Sequence, residues 1–218
     1  GWTNTGGGAV AIGSGAGQNQ AATAIAIGQE TGRNNQQANA VAIGARAGGT
    51  TQSTNAVAVG VDAGRTTQGA GAVAVGREAG RNNQGIDAVA IGNDAGDDNQ
   101  AAEAIAIGKE AGLTTQGADA VAIGVAAGKT TQSGNAVAVG AGAGEISQGG
   151  NSVAVGYLAG QTNQPAGSIA INASGVALNP TGTGLFISPI KGGNAGVGLP
   201  TNTLWYDPAT AEVYYQSP

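Results

Sequence analysis

Short apolar runs recur along this chain at a fixed distance. The string Ala-(Val/Ile)-Ala-(Val/Ile)-Gly, or a close variant of it, begins at Ala9 and is present in ten copies at a spacing of sixteen residues. Helical repeats need about thirty residues or more, so this period is too short for them. The spacing predicts an all-β fold, a parallel β-roll or β-solenoid in which each repeat forms one coil.

Three columns of residues keep the register of the repeat. Two consist of glycine and one of glutamine, and nothing else in the repeat is as constant. The first glycine column is Gly13, Gly28, Gly44, Gly60, Gly76, Gly92, Gly108, Gly124, Gly140 and Gly156, the second follows four residues later from Gly17 to Gly160, and the glutamine column runs from Gln20 to Gln164. We expect the first glycine of each coil to form a corner that needs positive φ or close backbone approach.

Each coil is expected to contain two short strands. In Ala40-Val41-Ala42-Ile43 the alternation places Ala on one face and Val and Ile on the other, and both faces are apolar, as in parallel strands buried on both sides. We interpret Ala45-Arg46-Ala47-Gly48 as the second strand, with Ala47 facing inward. Ten coils stacked at about 4.8 Å form a rod about 50 Å long. The Ala face of the first strand suits packing against an identical neighbour, which predicts a homo-oligomer.

The end of the chain departs from the repeat. Ser168-Ile169-Ala170-Ile171 begins an eleventh coil, but Asn172 replaces the corner glycine. We expect Asn172 to adopt positive φ and the solenoid to end there. The expected organisation is a lead-in at residues 1–8, solenoid repeats at 9–175 and a capping region at 176–218.

Aromatic residues are concentrated in that capping region. Leu204-Trp205-Tyr206 and Glu212-Val213-Tyr214 read as strands around a turn at Asp207–Thr210. We expect this hairpin to cap the unpaired strand edges of the last coil. The alternative is a carbohydrate-stacking site built on Trp205 and Tyr206.

Composition excludes several functions. The 218 residues carry a formal net charge of −5 with acids and bases interspersed, so no basic stripe is available for nucleic acid, and no apolar run approaches the roughly 20 residues that cross a bilayer. Without His and Cys, no Ser-His-Asp or Cys-His set can form, and the usual zinc ligands are missing. We therefore expect no enzyme activity, no catalytic, cofactor-binding or metal site, and no cofactor. A pair of carboxylates across a subunit boundary is the catalytic alternative.

Several polar columns have both a structural and a functional interpretation. We expect the glutamines to form a ladder of side-chain amides between coils. Adjacent pairs such as Thr50-Thr51 and Asn82-Asn83 resemble the Thr ranks of ice-binding surfaces, but neighbouring side chains point in opposite directions on a strand, so turn chemistry is favoured. Asp87, Glu103 and Asp119 share one column, and we interpret them as solvated corner residues in preference to a cation site.

Three units carry a family resemblance: NAVAIGARAGG, NAVAVGAGAGE and NSVAVGYLAGQ, which begin at Asn39, Asn135 and Asn151. They resemble the head repeats of trimeric autotransporter adhesins of the YadA type, which implies a left-handed parallel β-roll in a tight trimer. The period of sixteen is longer than in those heads. The AVAIGxxAGxxxQ form, with SIAINASGVALNPTGTGLFISPI and LWYDPATAEVYY near the end, is more similar to repeat fibre proteins of large DNA viruses and phages. The resemblance covers residues 9 to about 215.

The function that this resemblance implies is that of a structural fibre or adhesin. The chain would form an elongated trimeric appendage outside the cell, on a virion or a cell surface, for attachment or as a rigid spacer. Its partners would be its own copies in a homotrimer and a host surface receptor or glycan. Because the chain begins at Gly1 without Met, we interpret it as a piece of something longer. The alternatives are a self-assembling extracellular filament subunit and an ice- or surface-binding module.

Overall fold

The chain folds into a β-solenoid of about eleven turns, as the repeat predicts. The computed structural model describes residues 7–189 and the backbone of residues 203–207 and 212–216. Within this part of the chain every regular element is a β-strand.

The strands follow the repeat closely. In chain order they are β1 (Val10–Ile12), β2 (Ile25–Ile27), β3 (Val41–Ile43), β4 (Thr51–Gln52), β5 (Val57–Val59), β6 (Thr67–Gln68), β7 (Val73–Val75), β8 (Asn82–Gln84), β9 (Val89–Ile91), β10 (Asp98–Gln100), β11 (Ile105–Ile107), β12 (Val121–Ile123), β13 (Thr130–Gln132), β14 (Val137–Val139), β15 (Ile146–Gln148), β16 (Val153–Gly156), β17 (Ser168–Asn172), β18 (Gly184–Ser188), β19 (Thr203–Asp207) and β20 (Glu212–Gln216). Most are two or three residues long, because a coil of sixteen residues must also turn several times.

The larger ladder is a parallel sheet of twelve strands within residues 7–189. Its order is β1-β2-β3-β5-β7-β9-β11-β12-β14-β16-β17-β18. Equivalent residues of successive coils are partners, since Val41 pairs with Val57 and Ile43 with Val59. The sixteen-residue period is therefore the length of one coil.

A second, narrower ladder ends at the glutamine column. Strands β10, β8, β6 and β4 form one parallel group, β13 and β15 form another, and single bridges such as Gln100–Gln116 and Gln116–Gln132 join them. The prediction of a second strand at Ala45–Gly48 is wrong, because this strand lies about four residues further along the chain. Arg46 at φ 57° and Gly48 at φ 54° adopt the left-handed conformation, which makes this segment a turn.

Alanine fills the interior of each coil. Ala40, Ala42 and Ala47 are fully buried, as are the equivalent alanines of the neighbouring coils, whereas Ile43 on the other face of the same strand is 38% exposed. The inward orientation of Ala47 is confirmed. The expectation that the Ala face of the strand is free to pack against another subunit is wrong, because that face already lines the coil.

The corner glycines behave as the sequence predicts. Gly44 has φ 125°, and a Cβ on this residue would lie 2.4 Å from the carbonyl oxygen of Gly60 in the next coil. A side chain is therefore excluded by both backbone conformation and space. Each corner glycine lets the backbone of one coil contact that of the next.

The C-terminal coils differ from the expectation at Asn172. This residue is the last one of the extended strand β17, and its Nδ2 donates to the carbonyl oxygens of Tyr157 at 2.7 Å and Val176 at 2.6 Å. The positive φ expected for Asn172 is therefore wrong. The large sheet continues beyond it, because β18 pairs in parallel with β17.

The predicted hairpin near the end of the chain is confirmed. Strands β19 and β20 are antiparallel, with Trp205 opposite Tyr214. The residues of the turn between them at 208–211, the first part of the lead-in at 1–6, and the expected capping contacts lie outside the described residues. The side chains proposed to stack on a carbohydrate, Trp205 and Tyr206, also lie outside them.

We predict that Gly108→Ala lowers the free energy of unfolding of the solenoid by about 1–3 kcal/mol or more, because a strained backbone conformation usually costs about 1–3 kcal/mol. Gly108 has φ 125°, and its Cβ would lie 2.6 Å from the carbonyl oxygen of Gly124. The measurement is the free energy of unfolding by chemical denaturation. The control is Gly134→Ala, because this column already holds Ala102 and Ala118. Equal stability of the two variants would contradict the proposed role of the corner glycines.

Candidate functional site

The outer face of the large sheet is an apolar surface. Because the alanines point inward, the Val and Ile residues that alternate with them point outward along the strands of the large sheet from β1 to β17. Those on β9 and β12 include Ile91, which is 39% exposed, and Ile123, which is 37% exposed. We call this surface the Val/Ile face.

The Val/Ile face is large for a protein of this size. Twelve strands at about 4.8 Å give a length of roughly 55 Å, and two outward residues per strand give a width of about 10 Å. The resulting area of about 500 Å² lies at the upper end of what monomers expose as one contiguous patch. The sequence predicts that such a face exists, but it does not indicate which face of the strand lies outside.

A charged edge runs beside this face, along the turn between the two ladders. Within residues 7–189, every basic side chain lies on this edge and has an acidic partner. These side chains are Arg33, Arg46, Arg65, Arg77, Arg81, Lys109 and Lys129. The sequence analysis missed this arrangement, which becomes visible when residues are aligned by coil.

One ion pair on the charged edge joins two successive coils through two hydrogen bonds. Arg46 donates from Nε to Asp62 Oδ1 at 2.7 Å and from a terminal nitrogen to Oδ2 at 2.5 Å. This two-pronged contact lowers the pKa of Asp62. Lys129 lies 2.7 Å from Glu110, and its hydrogen bond lowers the pKa of that carboxyl group.

Asp97 behaves differently from the other acids of this edge. It is buried, and this burial raises its pKa to about 6, although Arg81 beside it favours the charged form. A terminal nitrogen of Arg81 donates to Asp97 Oδ2 at 2.9 Å, while Arg81 also contacts Glu78 at 2.8 Å. Asp97 is thus an acid whose ionisation opposes folding.

The glutamine ladder lies in the interior and confirms the prediction of stacked amides. The Nε2 of Gln52 donates to the carbonyl oxygen of Val41 at 2.8 Å, to that of Ala56 at 3.3 Å and to Oε1 of Gln68 at 3.1 Å. The side chain therefore joins the two ladders of its own coil and also the next coil. A Cβ on Gly48 would lie 2.7 Å from Gln52 Oε1, so the second glycine column leaves the space that the amide occupies.

The ladder of amides consists of two runs. The first runs from Gln36 to Gln68 and the second from Gln84 to Gln148. Between them, Oε1 of the buried Gln84 accepts no hydrogen bond from the described residues. The amides have a structural role, because they donate to backbone carbonyl groups and to one another.

The other polar columns occupy corners. Asp87, Glu103 and Asp119 are exposed and have φ between 54° and 60°, and no group of acidic side chains in the described residues is arranged to hold a metal ion. Asn83 and Thr131, the second members of two Thr or Asn pairs, also have positive φ. Asp87, Glu103 and Asp119 lie in turns, whereas Asn83 and Thr131 are the middle residues of the short strands β8 and β13, so these two pairs adopt a left-handed backbone within the narrower ladder and not in a turn.

The fold defines the chain as a parallel β-solenoid with a small-residue interior. Comparisons with family models, with curated proteins and with solved structures gave no match. In the part of the chain that the structure describes, no helix has the length and apolar character needed to cross a membrane.

We predict that Gln116→Met lowers the free energy of unfolding by about 1–3 kcal/mol, the usual cost of leaving buried polar groups without partners. Gln116 donates to the carbonyl oxygen of Ile105 at 2.8 Å and to Gln132 Oε1 at 3.1 Å, and methionine has a similar length but cannot donate. The measurement is chemical denaturation. The control is Gln29→Met, at an exposed turn position, which should leave stability almost unchanged. A loss at Gln116 no larger than at Gln29 would argue against a stabilising ladder.

We predict that Asp97→Asn and Asp62→Asn change stability in opposite directions at pH 7. The pKa of Asp97 is raised from 3.8 to about 6, so this residue reduces stability increasingly as pH rises through that window, and Asn removes the penalty. The pKa of Asp62 is lowered, so its contribution is present above pH 3.8 and is lost as pH falls below it. Melting temperatures between pH 3 and pH 8 test both signs. Destabilisation by Asp97→Asn at pH 7 would contradict the prediction.

Proposed function

We propose that this chain is a stiff segment of an elongated fibre on a virion or cell surface, and that its copies associate through the Val/Ile face. The observation that supports this proposal is the apolar surface that follows the solenoid along its whole described length. An apolar patch confined to one corner would suit a small ligand. An apolar face that extends along the whole rod suits an equally long partner, such as a second copy of the chain.

The energetics of the sheet favour such an association. Parallel sheets are normally covered on both faces, and here the interior covers one face while the Val/Ile face is half-exposed. Burying about 500 Å² of apolar surface at about 25 cal/mol per Å² is worth roughly 12 kcal/mol per chain, before the cost of association is subtracted. That magnitude is comparable with the cost of association, about 4–15 kcal/mol, so the complementarity of the two faces decides the stability of the oligomer.

The oligomer that we propose is a homotrimer. Three copies arranged around an axis along the rod would each present the same face to the centre, and such closed symmetry limits assembly to a defined number of subunits. The number three and the left-handed winding come from the resemblance to trimeric adhesin heads and viral fibres. A trimer also places the charged edge of each copy outside, where it is free to contact other molecules.

Attachment is the second part of the proposed function. The corners of the coils carry the residues that vary between repeats, so they provide the surface on which a host receptor or glycan would bind. Three identical weak sites on one rigid rod gain affinity through effective concentration, without any new contact. An extracellular location fits this function, and nucleic acid is not expected as a partner of a chain with net charge −5.

We predict that the purified chain has a native mass close to three times 20.6 kDa, and that Ile91→Lys/Ile123→Lys lowers it to that of the monomer. Both residues lie on the Val/Ile face, and burying two ammonium groups in an apolar interface is strongly unfavourable. Light scattering on a size-exclusion column measures the mass, and negative-stain imaging of the same peak shows whether the particles are short rods.

The control for this experiment is Ile86→Lys. Ile86 is 56% exposed but lies at a corner outside the large sheet, so this change should leave the mass unchanged. Particles of open-ended length would support the filament alternative in place of a closed trimer. A folded wild-type monomer would overturn the proposal, because the Val/Ile face would then be stable in water.

A further inference from the structure

At one position on the charged edge, two arginines lie on either side of a glycine in the stack of coils. Residues 33, 49 and 65 occupy the same place in three successive coils, and they are Arg33, Gly49 and Arg65. Two coils separate the arginines, which is about 10 Å at the spacing of parallel strands. Gly49 leaves a cleft between them, and Glu30, Arg46 and Thr50 complete its lining. We call this cleft the arginine notch.

The two arginines of the notch are poorly paired within the protein. Arg33 lies 3.9 Å from Glu30, and Arg65 Nε lies 3.5 Å from Asp62; neither guanidinium donates a hydrogen bond to a residue in the described part of the chain. Both side chains are about half-exposed. Their N–H groups are therefore available to an external acceptor.

The acids around the notch do not change this conclusion. Asp62 accepts two hydrogen bonds from Arg46, and Arg65 approaches its Oδ1 only to 3.5 Å. Arg81, one coil further along, provides the contrast, because it contacts both Glu78 and Asp97 at 2.8 Å. The coil that follows Arg81 carries the acidic Asp97 in this column, whereas the coil that follows Arg33 carries Gly49, which has no side chain.

We propose that the arginine notch binds an oxyanion, as a carboxylate, sulfate or phosphate group carried by a larger molecule. Guanidinium groups donate two parallel hydrogen bonds to such groups at about 2.8 Å. The backbones of the two arginine residues lie about 10 Å apart, so their long side chains can both reach one group placed between them. The exposed hydroxyl of Thr50 is available as a further donor. This site would give the fibre a contact for an acidic saccharide or another anionic surface group. All residues of the notch belong to one chain, so anion binding does not require an oligomer.

The first test is isothermal titration of the intact chain with inorganic phosphate, sulfate and acetate, at ionic strength matched with sodium chloride. Saturable binding of at least one of these anions is expected. Preference for acetate would indicate a carboxylate ligand, and preference for sulfate or phosphate would indicate a sulfated or phosphorylated one. Absence of binding for all three would overturn the proposal.

Two variants locate the site. Arg33→Gln/Arg65→Gln should weaken binding about tenfold or more, since it removes charge-assisted hydrogen bonds. Gly49→Asp should abolish binding while keeping every arginine, because its own carboxylate would occupy the notch as Asp97 does beside Arg81. The control is Arg77→Gln, which changes an exposed arginine of the same edge that already contacts Glu78 and Asp94. This variant should bind the anion with wild-type affinity.

Two further readouts separate a failed site from a failed fold or assembly. Gly49→Asp should unfold at a temperature close to that of the wild type, because the approach of its Cβ to the carbonyl oxygen of Arg46, at 3.1 Å, offsets the gain from a carboxylate between two cations. Ile91→Lys/Ile123→Lys should still bind the anion if the notch belongs to one chain. Wild-type affinity in Gly49→Asp or in the double arginine variant would overturn the assignment to this notch.

Discussion

The narrow interior of the coil is the constraint on which the rest of this structure depends. Two ladders lie so close that each strand can place only alanine between them, and the longest buried side chain, the glutamine, fits because Gly48 and its equivalents have no Cβ. A glutamine in such a space must find partners for its amide, since a buried polar group without them is costly. It finds them on the strand of its own coil and on the glutamine of the next, so one side chain fixes both the width of the coil and the register of the stack.

The same constraint explains the surface. Because the strands of the large sheet have space for only small side chains on their inner face, their β-branched residues, which favour strands, must point outward, and they accumulate there as the Val/Ile face. In most globular proteins large apolar side chains lie inside and small ones are tolerated anywhere. Here the order is reversed, and the apolar surface is a consequence of the thin core.

Much of this fold could be predicted from the sequence, because its period and its glycines have direct geometric meaning. The sixteen-residue spacing predicts the coil, Gly44 predicts the corner, and the unbroken glutamine column predicts the amide ladder. The direction in which the strand faces could not be predicted, since Ala and Val are both apolar and alternation alone does not distinguish inside from outside. The position of the second strand also could not, because residues such as Arg46 and Glu78 adopt a left-handed conformation that their side chains do not favour. Asn172 stays extended because its amide supports the following loop.

The charged edge was missed for a different reason, although aligning the coils makes it visible in the sequence. Some of its ion pairs join residues of successive coils, so the partners Arg46 and Asp62, sixteen positions apart, look unrelated until the coils are aligned. In the interior each residue packs between identical residues of the coils above and below. A substitution in one coil therefore alters the packing of the next coil. At the corners and edges a side chain also has neighbours in the stack, but its outer side is exposed to water. The residues at these positions vary from coil to coil. The repeat therefore separates two requirements: the interior columns provide stability through uniformity, and the edge columns are free to create local differences, of which the gap at Gly49 between two arginines is one.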